Sequence, residues 1–177
     1  MSGRVAARFL KYRKEQAPTR GVKVKNVGVS LSGVRRNVTF SPVPAKNPAV
    51  AHVLVVDDEP LIRWSLAETL SDRGHTVTEA GDGKEALRAV THAANRPDVV
   101  LLDYRLPDTN DLSLFAAIRR ELPETPIILM TAYGSAEITS GALALGAYRV
   151  VSKPFAVQDL VTLIQEAHDS VRGDQPG

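Results

Sequence analysis

The stretch Asp98-Val-Val-Leu-Leu-Asp103-Tyr-Arg-Leu-Pro107 decides the fold, because four apolar residues in it lead directly to a carboxylate. Two of the four are β-branched, and the run predicts a short strand that is buried on both faces. Pro107 cannot continue such a strand. In an open parallel sheet, ligand-binding residues lie just beyond the carboxyl ends of the strands. Asp103 is therefore either a site residue or the cap of a loop, and the rest of the chain decides between the two.

Similar apolar segments recur along residues 51–172, and each is followed by a helical pattern of apolar residues. The five predicted strands are residues 53–56, 75–80, 99–102, 127–130 and 148–152. Gly74 and Gly146 are the expected stops of the first and fourth helices. Alternating strands and helices, with connections long enough for parallel pairing, predict an α/β domain with a doubly wound five-stranded parallel sheet.

Composition excludes several classes of function. The chain has 177 residues, of which 44% are hydrophobic and 24% charged, as is ordinary for a globular protein. It has no cysteine, which excludes disulfides, thiolate metal sites and cysteine nucleophiles and fits a reducing compartment. No apolar run approaches the roughly 20 residues of a membrane span, and no secretory signal is present. We therefore expect a cytoplasmic protein without a membrane partner.

Charge divides the chain into two unlike parts. Residues 1–50 hold eleven Lys and Arg against one acid, Glu15, which is a net charge of +10, whereas the remainder holds eleven basic and nineteen acidic residues, a net charge of −8. We expect residues 1–50 to be a disordered basic extension, 51–172 a folded domain and 173–177 a polar tail. Two alternatives for the extension are an arm that contacts nucleic acid and translated upstream sequence before a true start near Val50.

Polar residues follow four of the five predicted strands. Asp57 and Asp58 follow the first, Asp103 the third, Thr131 the fourth and Lys153 the fifth. Clustered carboxylates without sulfur or imidazole favour Mg²⁺, and a carboxylate beside Mg²⁺ is a competent nucleophile toward phosphorus. Lys153 and Thr131 would stabilise the charge that develops on phosphoryl oxygens. We prefer this interpretation to the alternative that Lys153 only forms a salt bridge and Thr131 only caps a helix.

Four motifs carry a resemblance to a known family. Val-Val-Asp57-Asp58-Glu-Pro, Leu-Leu-Asp103-Tyr-Arg-Leu-Pro, Leu-Met-Thr131-Ala132-Tyr-Gly and Val-Ser-Lys153-Pro154-Phe155 resemble the receiver domain of two-component response regulators, over roughly residues 51–172. The stretch Asp58-Glu-Pro-Leu-Ile-Arg-Trp-Ser-Leu is most similar to receivers of nitrogen-regulator-type, sigma-54-dependent activators. The resemblance implies a flavodoxin-like receiver fold with strand order 2-1-3-4-5 and a cis Lys153–Pro154 bond.

The resemblance also implies a mechanism. Asp103 would accept a phosphoryl group from the phosphohistidine of a sensor histidine kinase or a phosphotransfer protein. Asp58, Asp103 and the backbone carbonyl of Arg105 would hold Mg²⁺, with Asp57 acting partly through water. Thr131 and Lys153 would contact the phosphoryl group. The protein would be a switch that is phosphorylated and dephosphorylated, not a turnover enzyme.

Two positions depart from the family pattern. Val150 stands where receivers usually carry a Tyr or Phe as a rotameric switch, and strand alternation predicts that Tyr148 lies on the same face as Val150. Asp111 stands where the loop usually carries Gly, so the turn there is expected to differ. Arg105 and Tyr133 would flank the path of hydrolytic water, and the bulk of Tyr133 suggests slow loss of the phosphoryl group.

The output is expected to leave through the fourth helix and fifth strand, about residues 135–151, by dimerisation or by docking to a downstream protein. Only residues 170–177 follow the last helix, so the sequence predicts a stand-alone receiver without an output domain. One alternative is a haloacid-dehalogenase-type phosphatase, but such enzymes need a second acid two residues after the nucleophile, where Arg105 stands. The other is a nucleic-acid-binding regulator that acts through the basic extension, in which only Phe9, Tyr12 and Phe40 would stack on bases.

Overall fold

The computed structural model describes residues 50–91, 96–132 and 134–172. Five parallel strands form one sheet in the order β2-β1-β3-β4-β5, as predicted. The strands are β1 (His52–Val56), β2 (Thr76–Ala80), β3 (Val99–Asp103), β4 (Ile127–Thr131) and β5 (Arg149–Ser152). The helices are α1 (Pro60–Ser71), α2 (Gly83–Thr91), α3 (Ser113–Glu121), α4 (Ala136–Ala144) and α5 (Val157–Arg172). The predictions for residues 1–49, Tyr133 and the polar tail concern residues outside the described ones.

The centre of the sheet is buried on both faces because residues 53–56, 99–102 and 127–130 of its three central strands are all apolar. Leu54 and Leu102 pack on one side with residues of α2, α3 and α4, and this cluster is the α2–α4 core. Val53 and Leu101 point the other way and pack with residues of α1 and α5, which is the α1–α5 core. All five residues of β3 are buried, and each buried aliphatic side chain stabilises the fold by roughly 1.5–3 kcal/mol. This two-sided burial explains the unbroken apolar run before Asp103.

The strand register brings the ends of the strands level with one another. Val56, the last residue of β1, pairs with Ala80 of β2 and with Leu102 of β3. Asp103 pairs with Met130. Thr131 at the end of β4 pairs with Ser152 at the end of β5. The residues that follow these strands therefore emerge at one edge of the sheet, where the strand order reverses between β1 and β3 and where such sheets bind ligands.

Local signals set the helix ends. Gly74 and Gly146 have φ of +89° and +87°, in the left-handed region that favours glycine, and both end a helix as predicted. The Ser135 hydroxyl accepts a hydrogen bond from the Ile138 N–H at 3.2 Å, so it caps α4. Within the described residues, no helix is long and apolar enough to cross a membrane.

One prediction about β5 is wrong. Val150 packs against the α2–α4 core, but Tyr148 packs against the α1–α5 core, on the opposite side of the sheet. The strand begins at Arg149, so Tyr148 precedes the regular backbone on which alternation depends. Tyr148 therefore does not take the place of an aromatic side chain at position 150.

Candidate functional site

Asp103 lies at the carboxyl end of β3 with 6% of its surface exposed. One carboxylate oxygen, Oδ2, accepts a hydrogen bond from Lys153 Nζ at 2.5 Å, and the other accepts one from the Arg105 N–H at 3.1 Å. Burial raises the pKa of Asp103, and the hydrogen bond from Lys153 opposes that rise. Asp103 is thus a buried carboxylate whose charge is matched by a partner rather than by solvent, which distinguishes it from a simple loop cap.

Two further carboxylates complete an acidic group with Asp103. Asp57 is fully buried and Asp58 is exposed at the rim. One carboxylate oxygen from each of the three residues can be chosen so that all lie within 4.8 Å of one another. Three carboxylates at this spacing repel each other, and the set offers oxygen ligands alone. This chemistry fits a hard divalent cation such as Mg²⁺.

Lys153 joins the two buried carboxylates. Its Nζ lies 2.7 Å from Asp57 Oδ2 and 2.5 Å from Asp103 Oδ2, with Glu59 Oε1 further away at 3.7 Å. Burial is the largest influence and lowers the pKa of Lys153, but the hydrogen bonds to Asp103 and Asp57 outweigh it, and the pKa is raised. The side chain is therefore a charged ammonium group held at the acidic group. The bond between Lys153 and Pro154 is cis, as predicted.

Thr131 is buried at the end of β4, beside the strand that carries Asp103. Its carbonyl oxygen accepts a hydrogen bond from the Lys153 N–H at 2.8 Å, which ties the end of β4 to the start of the Lys153 loop. All five predicted residues at the strand ends therefore lie at one edge of the sheet. Arg105 donates its N–H to Asp103, and a metal-binding role of its carbonyl oxygen stays a prediction.

Three residues that support this site were not predicted from the sequence. Glu59 donates its backbone N–H to Asp57 Oδ1 at 2.9 Å, and Arg63 Nη1 donates to the Asp57 carbonyl oxygen at 2.6 Å. Asp108, in the loop after Asp103, accepts hydrogen bonds from the N–H groups of Gly83 and Lys84 at 2.9 and 3.2 Å. Glu59, Arg63 and Asp108 are near the motif acids in the sequence, but this proximity does not predict which groups they contact.

The fold and this site define an α/β domain of the flavodoxin-like class with an acidic, oxygen-only site at its switch point. The chain belongs to the response regulator receiver domain family, whose model matches residues 53–165.

Similar proteins agree with this assignment. The chain is 39% identical over 109 residues to the "Probable transcriptional regulatory protein TcrX" of Mycobacterium tuberculosis, covering 62% of this chain and 46% of that one. It is 37% identical over 115 residues to the DNA-binding transcriptional regulator NtrC of Escherichia coli, covering 65% and 24%. A receiver domain structure from Methanospirillum hungatei, described as CheY-like, superposes with a TM-score of 0.68 at 27% identity, covering 72% and 100%. The match to NtrC confirms the likeness to nitrogen-regulator-type receivers, and the chain spans less than half the length of these two curated relatives.

Proposed function

We propose that this domain is a phosphorylation-dependent switch in which Asp103 accepts a phosphoryl group from a phosphohistidine. The donor is a sensor histidine kinase or a phosphotransfer protein. The observation that carries the proposal is the contact of 2.5 Å between the buried Asp103 carboxylate and Lys153 Nζ inside the acidic group. This arrangement supplies a nucleophile together with a cation for the phosphoryl oxygens.

The acidic group would hold Mg²⁺ through Asp58, Asp103 and the backbone carbonyl of Arg105, with Asp57 acting partly through water. When bound, the ion would offset the carboxylate charge and bind phosphoryl oxygens. Asp57 is fully buried, and its two carboxylate oxygens accept hydrogen bonds from the Glu59 N–H and from Lys153 Nζ. Asp58 is exposed, so its carboxylate is accessible to an ion from solvent.

In the transfer step, a carboxylate oxygen of Asp103 forms a bond to phosphorus as the P–N bond of the phosphohistidine breaks. The electron pair of that bond returns to the imidazole nitrogen, which takes a proton from water. Lys153 exchanges its contact with Asp103 for one with the phosphoryl oxygens, and the Thr131 hydroxyl donates a hydrogen bond to the same group. The product is an aspartyl phosphate on Asp103.

We propose that the signal leaves through the α4–β5 surface, residues 135–151, toward a second copy or a downstream protein. Thr131 and Lys153 border this surface, since β5 pairs with β4 and ends at Ser152. Leu143 and Leu145 expose 50% and 40% of their surface there, which suits a protein partner. The measurement is the amide NMR spectrum: phosphorylation is expected to shift residues 132–151, and an unchanged spectrum there would refute this coupling.

We do not propose that the domain hydrolyses external phosphoesters. A haloacid-dehalogenase-type reaction would need an acid at position 105, where Arg105 instead directs its N–H at Asp103. A steady-state assay on small phosphoesters separates the two functions, because a switch releases at most its own phosphate. Sustained turnover would replace this proposal with the phosphatase.

The direct test of the acceptor is intact mass after treatment with acetyl phosphate and Mg²⁺. We expect a single phosphate adduct on the wild type and none on Asp103→Asn. Asp111→Asn is the matched control, because Asp111 lies in the same loop but exposes its carboxylate outside the acidic group. It should retain the adduct. An adduct that persists on Asp103→Asn would show that another residue is the acceptor.

A further inference from the structure

Arg63 lies in α1 and directs its guanidinium group back toward the acidic group. Its side chain is 19% exposed. Nη1 donates to the Asp57 carbonyl oxygen at 2.6 Å, and Nε lies 3.5 Å from Glu79 Oε2 in β2. A Cβ atom placed on Gly81 would lie 3.4 Å from Nη1, so the guanidinium also lies close against the turn after β2. Arg63 thus joins the β1–α1 loop to β2 and to the turn that follows it.

Four contacts hold Asp57, and they act on different parts of the residue. Its N–H donates to the Ala80 carbonyl at 3.1 Å. Its carboxylate oxygens accept from Glu59 N–H and Lys153 Nζ. Arg63 binds the carbonyl oxygen, which belongs to the peptide unit that joins Asp57 to Asp58. Of the four, the Arg63 contact is therefore the one that fixes the orientation of this peptide plane, and with it the direction in which the Asp58 side chain leaves the backbone.

The charge and the geometry of Arg63 predict opposite effects on a bound cation. A guanidinium next to three carboxylates repels a divalent cation, so its charge alone weakens metal binding. Its hydrogen bond to Asp57 holds the exposed ligand Asp58 in place, which lowers the entropic cost of assembling the site and strengthens metal binding. The sign of the change on substitution therefore separates the two effects.

We propose that Arg63 is a positioning residue for the Mg²⁺ site, and that its forked contact to the Asp57 carbonyl and Glu79 increases the affinity for the ion. This inference rests on the proposed function only in requiring that the acidic group binds Mg²⁺. A lysine cannot reproduce the contact, because an ammonium group lacks the rigid fork that reaches two acceptors at once.

The test is the dissociation constant for Mg²⁺, measured by calorimetry on the full chain for the wild type, Arg63→Gln and Arg63→Lys. We expect Kd to rise by about tenfold in Arg63→Gln and by a smaller factor in Arg63→Lys, in line with the loss of residues that orient metal ligands. Glu79→Gln, which leaves Arg63 in place but removes its charged partner, should raise Kd slightly. The control is Arg172→Gln at the exposed end of α5, which removes the same charge away from the site.

A second readout detects the positioning directly. In metal-free Arg63→Gln, the amide NMR signals of Asp58 and Glu59 should move, whereas those of α5 should not. Tighter Mg²⁺ binding by Arg63→Gln, or an unchanged Kd in both Arg63 variants, would overturn the inference while the proposed function stands. Failure of the wild type to bind Mg²⁺ would instead overturn the proposed function and the inference together.

Discussion

At the scale of single residues, burial of the Asp103 carboxylate destabilises the folded protein when the group is charged. Burial raises the pKa of Asp103 in the folded protein above its ordinary value. The folded state therefore holds this proton more tightly than the unfolded state. Stability linked to Asp103 is fully present below the unfolded pKa and is lost as the pH rises through the folded pKa. Above the folded pKa, and without a metal ion, the burial of the charged Asp103 disfavours folding.

Asp103→Asn is accordingly expected to unfold at a higher temperature than the wild type at pH 7.5 in a chelating buffer. The amide fills the same space without the desolvated charge, and Lys153 keeps its contact with Asp57 at 2.7 Å. A gain of 1 kcal/mol would correspond to a shift of roughly 4 °C for a domain of about 120 residues. Mg²⁺ at one hundred times its Kd should then stabilise the wild type by about 2.7 kcal/mol and the variant much less. A lower melting temperature for Asp103→Asn would mean that the Lys153 contact outweighs the burial of charge.

Some of the individual site residues could be predicted from the sequence, and others could not. Asp57, Asp103 and Lys153 could be predicted because each stands at the end of a strand or directly after it, and the carboxyl ends of parallel strands meet whatever the side-chain rotamers. Arg63 could not, because its contact depends on where α1 starts and on how a long side chain folds back over Gly81. Motif spacing carries no information of that kind.

At the scale of elements, Asp108 connects the β3–α3 loop to the start of α2. Its carboxylate accepts hydrogen bonds from the N–H groups of Gly83 and Lys84, the first two residues of α2. The bond from Gly83 in particular lowers the pKa of Asp108. A carboxylate at this end of a helix satisfies donors that have no partner within the helix and meets the favourable end of its dipole. The loop that carries Arg105 is thereby attached to a neighbouring helix.

Asp108→Ala is expected to reduce the free energy of unfolding by about 1 kcal/mol, the usual effect of losing a helix cap. Asp108→Asn, which keeps an acceptor oxygen but loses the charge, should reduce it less. Urea unfolding followed by circular dichroism gives both values. Asn110→Ala in the same exposed loop is the control and should unfold like the wild type. Equal stability of Asp108→Ala and Asn110→Ala would show that the cap contributes nothing.

Strand alternation predicts the direction of side chains well in the central strands and poorly at the start of the edge strand β5. Alternation within β4 and β3 is reliable because both strands are buried over all five residues. At the edge strand β5 the regular backbone starts only at Arg149, and Tyr148 goes to the opposite core. An edge strand has one neighbour to impose its register, so its first residue is the hardest to place from sequence.

At the scale of the whole molecule, the apolar strands and the helical spacing determine a sheet with a core on each side, and both were predictable. The contacts at the amino-terminal ends of the strands, on the side away from the site, could not be predicted. His75, just before β2, is one of them: its ring nitrogen Nδ1 accepts a hydrogen bond from the Ala51 N–H at 3.1 Å. That nitrogen carries no proton in the fold, so the ring is neutral. Burial, followed by His168 of α5 and Arg73 of the preceding turn, lowers the pKa of His75.

The contribution of His75 to the stability of the domain is therefore expected to fall on mild acidification. Because the folded pKa lies below the unfolded value of about 6.5, the contribution of His75 is fully present above pH 6.5 and is lost as the pH falls toward the folded pKa. One proton taken up on unfolding lowers the free energy of unfolding by at most about 1.4 kcal/mol per pH unit. His75→Asn is the informative variant, because its amide oxygen can accept from the Ala51 N–H but cannot be protonated in this range.

Urea unfolding of the wild type and His75→Asn at pH 7.5 and pH 5.5 measures this contribution. The two proteins differ only at position 75, so the difference between their two losses of stability measures what His75 contributes. The wild type should lose more stability than the variant between these pH values, even if the variant is less stable at pH 7.5. Equal losses would show that protonation of His75 in the unfolded chain does not set the acid sensitivity. In that case the fold would tolerate a second proton on the ring, which would have to go to Nδ1 in place of the hydrogen bond from Ala51 N–H, with no measurable penalty; the burial of His75 argues against this.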